Sequence, residues 1–186
     1  MKLHGPQLFR RHAAPASAEP PRLPEGYVVR EATMADVPSV MAAIMRLPVA
    51  QSDFGTQNFV KSGWAEYSEA NLVCSIRGEE SRGIPMPLPR LLFNASGELI
   101  AFVTLAILRF GESRYLMNRH FDGTPEGFGL LAHCLPHLAH KYECEATGGY
   151  VATLPFVLDV FDRSPVYKRA TATEQWEFHW KSAEYA

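Results

Sequence analysis

A strand runs straight into a helix at Thr124-Pro125-Glu126-Gly127-Phe128-Gly129-Leu130-Leu131, and this corner constrains the fold more than any other stretch of the chain. Before it, Arg114 to Phe121 reads as a strand. After it, Leu130, Leu131, Cys134, Leu135 and Leu138 mark the apolar stripe of a helix over Gly127 to Glu143, with Pro136 expected to kink it. The glycine pair at the junction has two readings. Glycines there let backbone N–H groups approach an anion at a helix N-terminus, where the macrodipole favours negative charge, so the corner is a candidate phosphate cradle. A tight turn that needs small residues gives the same spacing.

The 186 residues suffice for one well-buried core and fit a single domain. A formal net charge of −2 gives no general attraction to nucleic acid or anionic lipid, so neither is an expected partner. Cys74, Cys134 and Cys144 form an odd set without C-x-x-C spacing, which argues against a disulfide framework and a thiolate zinc site and fits a reducing compartment. Asn94-Ala95-Ser96 matches a glycosylation sequon but reads as part of a turn. No apolar run approaches the ~20 residues that span a bilayer. These features predict a soluble, cytoplasmic protein.

Met1 to Gly26 carries Pro6, Pro15, Pro20, Pro21 and Pro24 and no repeating apolar face, and reads as an extended arm ahead of a single domain over residues 27–186. The domain opens with a strand, Tyr27 to Glu31. Thr33 and Asp36 form a capping-box variant before a helix carrying Val37, Val40, Met41, Ile44 and Met45, which Pro48 is expected to end. Phe59 to Tyr67 suggests a second helix, Val73 to Arg77 a short strand, and the proline-rich stretch Gly78 to Pro89 a loop. Leu91 to Phe93, the turn Asn94 to Gly97 and the nearly continuous apolar run Glu98 to Leu108 read as a hairpin, followed by a turn at Gly111 to Ser113. Past the long helix come a strand Tyr150 to Leu154, a short helix Phe156 to Arg163 and a terminal strand Glu174 to Lys181. The sum is an α/β fold: a mixed, mostly antiparallel sheet with helices on both faces.

This order and its landmarks resemble the GCN5-related N-acetyltransferase family over about Tyr27 to Lys181. In that family a Q/R-x-x-G-x-G/A loop at the start of the helix after the fourth strand binds acetyl-CoA, and Thr124 to Gly129 stands in its place. The stretch Tyr27 to Asp36 is similar to the family's first strand and helix start, and Leu154 to Ser164 with Val166 to Ala170 to its last helix and the turn beyond. The resemblance implies an acyl-CoA N-acyltransferase-like fold and an N-acetyltransferase that takes acetyl-CoA as donor and an amine of a small molecule or protein as acceptor. Thr124 and the backbone of Gly127, Phe128, Gly129 and Leu130 would hold the CoA pyrophosphate. Thr124 stands where Gln or Arg is usual, and Glu126 brings a carboxylate close to the pyrophosphate.

Acyl transfer to an amine requires a base for the amine and an acid for the leaving thiolate. By resemblance the acid is Tyr167, in Val166-Tyr167-Lys168-Arg169; a tyrosine packed at the sheet edge is the other reading of that residue. Glu112 and His120 flank the fourth strand as candidate bases, against a solvated turn carboxylate and a half-buried histidine. His133, His137 and His140 share one broad helical face, but Pro136 disturbs their geometry, and they read as partly exposed helix histidines rather than a metal site. The alternating Trp176, Phe178 and Trp180 read as a sheet face. A second class stays open: a catalytically inactive fold of this type serving in an assembly, such as a phage virion component, with the arm at residues 1–26 threading onto neighbours.

Overall fold

The computed structural model describes residues 7–12, 20–51, 69–78, 85–151, 154–163 and 168–169. Its strands are β1 (Gln7–His12), β2 (Val28–Glu31), β3 (Arg90–Phe93), β4 (Leu99–Phe110), β5 (Ser113–Gly123), β6 (Ala146–Val151) and β7 (Lys168–Arg169). The helices are α1 (Val37–Ile44), α2 (Pro48–Gln51), α3 (Glu69–Arg77), α4 (Pro125–Lys141) and α5 (Pro155–Asp162), with a 3-10 turn at Met34–Asp36 before α1. One seven-stranded sheet runs in the order β2-β3-β4-β5-β6-β1-β7. Every neighbouring pair is antiparallel except β5 and β6.

The β3–β4 hairpin forms as its turn chemistry dictates. Asn94 Oδ1 accepts from the Ser96 amide at 3.1 Å, the Ser96 hydroxyl at 2.7 Å and the Glu98 amide at 2.9 Å, and Gly97 takes φ +79°. The asparagine replaces backbone partners the reversal would leave wanting, and glycine accepts the left-handed conformation without penalty. The sequon is thus a turn. Next to it, β4 is buried on both sides: Ala101, Phe102, Val103 and Leu105 are all fully covered. A strand with both faces inside is read as an uninterrupted apolar run, which is how Glu98 to Leu108 appears in the sequence.

Two hydrophobic layers cover the two faces. On one side α4 and α5 bring Phe128, Leu131, Leu135, Val157 and Phe161 against Val103, Leu105, Leu116 and Phe121. On the other, α1 and α3 bring Val37, Val40, Ile44 and Leu72 against Leu91 and Phe102. Each fully buried large side chain contributes about 2 kcal/mol. At the far edge Asp36 accepts from Arg30 at 2.6 and 2.8 Å and from the Thr33 amide at 2.7 Å, tying β2 to the start of α1. Arg30 beside it holds the Asp36 carboxyl well below the usual carboxylate range.

Several expectations change. Residues 7–12 are not an arm apart from the domain: β1 enters the sheet between β6 and β7, pairing Gln7 with Val151 and His12 with Ala146. Backbone pairing needs no apolar repeat, so the sequence hides it. Val73 to Arg77 is helix, within α3. Leu72 and Ser75 are buried three residues apart, and Glu69 and Arg77 carry the charges that suit the two ends of a helix. Pro48 does not end α1 but opens α2, at a position where its missing N–H costs nothing. The strand expected at Tyr150 to Leu154 begins earlier, at Ala146, because Gly148 and Gly149 obscure its pattern. Helix α4 continues through the buried Pro136. The segments at Phe59 to Tyr67 and Glu174 to Lys181 lie outside the described residues.

Candidate functional site

On β5 one residue changes the meaning of the rest. Thr104 faces His120 while Leu105 faces Asn118, so β5 uses two residues where β4 uses one, and Arg119 is the extra residue of a β-bulge. Side chains alternate along a strand, and one added residue sends every later side chain to the opposite face. Leu116 and Phe121, five positions apart, therefore both join the α4 layer. His120 and Asp122 turn to the other face, where the His120 ring lies 4.7 Å from that of Phe102. Asp122, fully buried, accepts from the amide of Gly123 at 2.7 Å and that of Val49 at 3.0 Å, which holds α2 against β5.

The other flank of β5 changes at the same level. Its parallel pairing with β6 runs from Tyr115–Ala146 to Asn118–Gly149, and the register ends there. Beyond it β5 continues to Gly123 without registered pairs to β6. A bulge and the end of a ladder thus coincide on the part of β5 that leads into α4.

At that start, Thr124 is the N-cap of α4. Its N–H donates to Ile100 O at 2.8 Å, and its hydroxyl oxygen accepts from the Gly127 amide at 3.1 Å. Phe128 donates to Thr124 O at 2.8 Å. Gly127 must be glycine for space: a Cβ there would stand 2.6 Å from Ile100 O. Gly129 has no such constraint, its nearest neighbour being Val160 at 3.8 Å. The Glu126 carboxylate accepts from the Tyr27 hydroxyl at 3.0 Å, and that hydrogen bond raises the Tyr27 pKa.

No family model and no curated protein sequence matches the chain. Solved structures do. A conserved protein of unknown function from Staphylococcus epidermidis superposes with a TM-score of 0.55 at 11% identity, over 89% of this chain and 57% of its own. A GCN5-related N-acetyltransferase from Anabaena variabilis gives 0.52 at 6% identity, over 90% and 38%. A probable N-acyltransferase from Enterococcus faecalis gives 0.51 at 9% identity, also over 90% and 38%. The fold is that of the GCN5-related N-acetyltransferases. This chain therefore spans about half or less of the length of the structures it matches, and at such identities the likeness is one of fold alone.

Within this N-acetyltransferase fold the residues singled out in the sequence fall into three groups. Thr124, Gly127, Phe128, Gly129 and Leu130 share the corner, and His120 stands four residues up β5 with its ring on the face away from α4, beside Phe102. Glu112 does not join them: it is exposed in the β4–β5 turn, about 25 Å of strand away from His120. Tyr167 lies outside the described residues. The corner keeps the N-terminal end of a long helix dipole, but its first turn is already occupied. Pro125 has no N–H, the Gly127 amide is capped by Thr124, and Phe128 begins the intrahelical ladder that Gly129 and Leu130 continue in a regular helix.

Sequence reasoning missed Asp122, Asn118 and the bulge. A signal was present: Leu116 and Phe121 are apolar at an odd spacing inside one strand, with Asn118, Arg119 and His120 between them, and alternation can survive that only by a bulge. Of the histidines of α4, His133 and His140 are exposed and His137 is half-buried. Among the described residues, no helix is long and apolar enough to cross a membrane.

Proposed function

We propose that this chain is an acyl-CoA-dependent N-acetyltransferase acting on an amine of a small molecule or protein. The observation that carries the reading is the coincidence on β5 of the Arg119 bulge, the end of the β6 ladder and the start of α4. Together they make a gap between parallel strands that opens toward a helix dipole of the sign an anion favours. Bound acetyl-CoA would supply the acyl group, with its pyrophosphate against the start of α4 at Thr124 to Gly127. Thr124 can free the Gly127 amide by rotating its hydroxyl away, while Phe128, Gly129 and Leu130 keep their amides in the helix. His120, held on the α2 face, takes the proton of the acceptor amine on an imidazole nitrogen. Tyr167 returns a proton to the leaving thiolate from its hydroxyl. Glu112 has no part, being at the wrong end of β5.

One observation favours a second reading, a catalytically inactive fold used as a structural or assembly protein. Thr124 and Glu126 already fill the corner with a cap and a carboxylate, the places an anionic ligand would use. Threading of residues 1–26 onto neighbours is harder to sustain for residues 7–12, which pair within this chain's own sheet.

Thermal denaturation with acetyl-CoA separates the two. A ligand at a hundred times its Kd adds about 2.7 kcal/mol to the folded state, which at this chain length raises Tm by about 5–10 °C. No shift at millimolar acetyl-CoA removes the enzyme reading and leaves the structural one.

A further inference from the structure

The vertex where β5 and β6 part is plugged. Gly149, the last residue of β6 in register with β5, has φ +155°, and a Cβ built on it would overlap Asn118 Oδ1, with Cγ and Nδ2 of the same amide close by. The Asn118 side chain therefore lies over the Gly149 backbone, filling the space a side chain at position 149 would take, and Asn118 is only 9% exposed. Asn118 also stands immediately before the bulge, so its amide sits at the blind end of the gap while His120, Asp122 and the start of α4 lie toward the open end.

We propose that Asn118 sets the length of acyl group the chain accepts, admitting acetyl or propionyl and excluding longer chains. The inference rests on the acyl-CoA reading given above. A donor with its pyrophosphate at Thr124 and its arm extended along β5 points its acyl end back toward Asn118, since Gly123 to Asn118 covers about 17 Å of strand. A longer acyl chain would need the volume the amide occupies. It would also press methylenes against that amide's polar atoms, which an apolar chain cannot hydrogen-bond. Selectivity for short donors follows from a polar stopper at the vertex.

A Tm titration of the full chain with CoA, acetyl-CoA, butyryl-CoA and hexanoyl-CoA tests this. In the unsubstituted protein acetyl-CoA binds at least as tightly as CoA, and affinity falls at butyryl and hexanoyl. In Asn118→Ala the trend reverses, with about fourfold gained per added methylene the vacated vertex takes in. Asn118→Ser, which keeps a polar atom in less volume, gives a smaller gain in the same direction and stands in if the alanine variant does not fold. Hexanoyl-CoA binding the unsubstituted protein as tightly as acetyl-CoA overturns the proposal, as does an unchanged chain-length preference in folded variants. Both results leave the acyltransferase reading standing, because CoA still binds. Failure of CoA itself to bind overturns the two together.

Discussion

The two flanks of β5 are built to opposite ends. Toward β4 the strand is zipped along its whole length, from Phe110–Ser113 to Ala101–Gly123, with a single bulge. Toward β6 it is paired only over its first part, up to Asn118–Gly149. One strand thus carries a closed seam and an open one. The closed seam fixes where every side chain of β5 points, and the open seam gives those side chains something to do. A backbone with all its hydrogen bonds spent in ladders has nothing left for a ligand, whereas one released on one flank still has a rigid support on the other.

The largest expected effect tests the closed flank. Phe102→Ala, in the fully covered centre of β4, should destabilise the fold by about 4 kcal/mol in chemical denaturation; a loss below about 1 kcal/mol would mean that seam is not the scaffold. Next comes the vertex of the open flank. Gly149→Ala should cost about 2 kcal/mol, partly from its positive φ and partly from overlap with Asn118. In an Asn118→Gly background the steric share should disappear, and additivity of the two substitutions would contradict the contact.

The far edge of the sheet supplies a control remote from both flanks. Asp36→Asn should cost about 2 kcal/mol at neutral pH by weakening the Arg30 and Thr33 hydrogen bonds. The Asp36 carboxyl titrates lower in the folded than in the unfolded chain. Its contribution is therefore complete above the unfolded value of about 3.9 and is lost as pH falls below it. Stability measured from pH 7 downward should show the gap between parent and variant closing in acid; a gap that widens there would have the wrong sign. The smallest effect belongs to the corner. Glu126→Gln removes a carboxylate near the proposed pyrophosphate position and should tighten acetyl-CoA binding about fivefold, from a Coulomb penalty of about 1 kcal/mol. Calorimetric titration of both proteins decides it, and weaker binding in the variant would place the anion elsewhere.

How much of this was legible depends on which forces left a trace in residue order. The hairpin, the long β4 and the β5–α4 corner were readable because their side chains repeat with the period of the element and their turns carry Asn and Gly where the backbone needs them. Helix α3 was misread at Val73 to Arg77 because a short apolar run does not distinguish strand from helix without its flanks. Of the candidate site, the corner itself was visible, but its state was not. Whether Thr124 caps Gly127, and whether Glu126 meets Tyr27 ninety-nine positions away, depends on distances that no spacing encodes. Glu112 looked like a neighbour of the site because it flanks the right strand, yet a strand separates its two ends by its full length.

The placement of β1 sets a schedule for making the protein. Gln7 pairs with Val151, so the first strand to leave the ribosome has no partner until about 140 further residues have followed it. At ~5–20 residues per second that wait is on the order of 10 s. Closing so long a loop costs about 4 kcal/mol in chain entropy before any pairing returns it. The sheet's earliest-made strand must therefore stay unengaged, or be kept from other exposed edges, until β6 exists, and only once it has docked can β7 add to its far side.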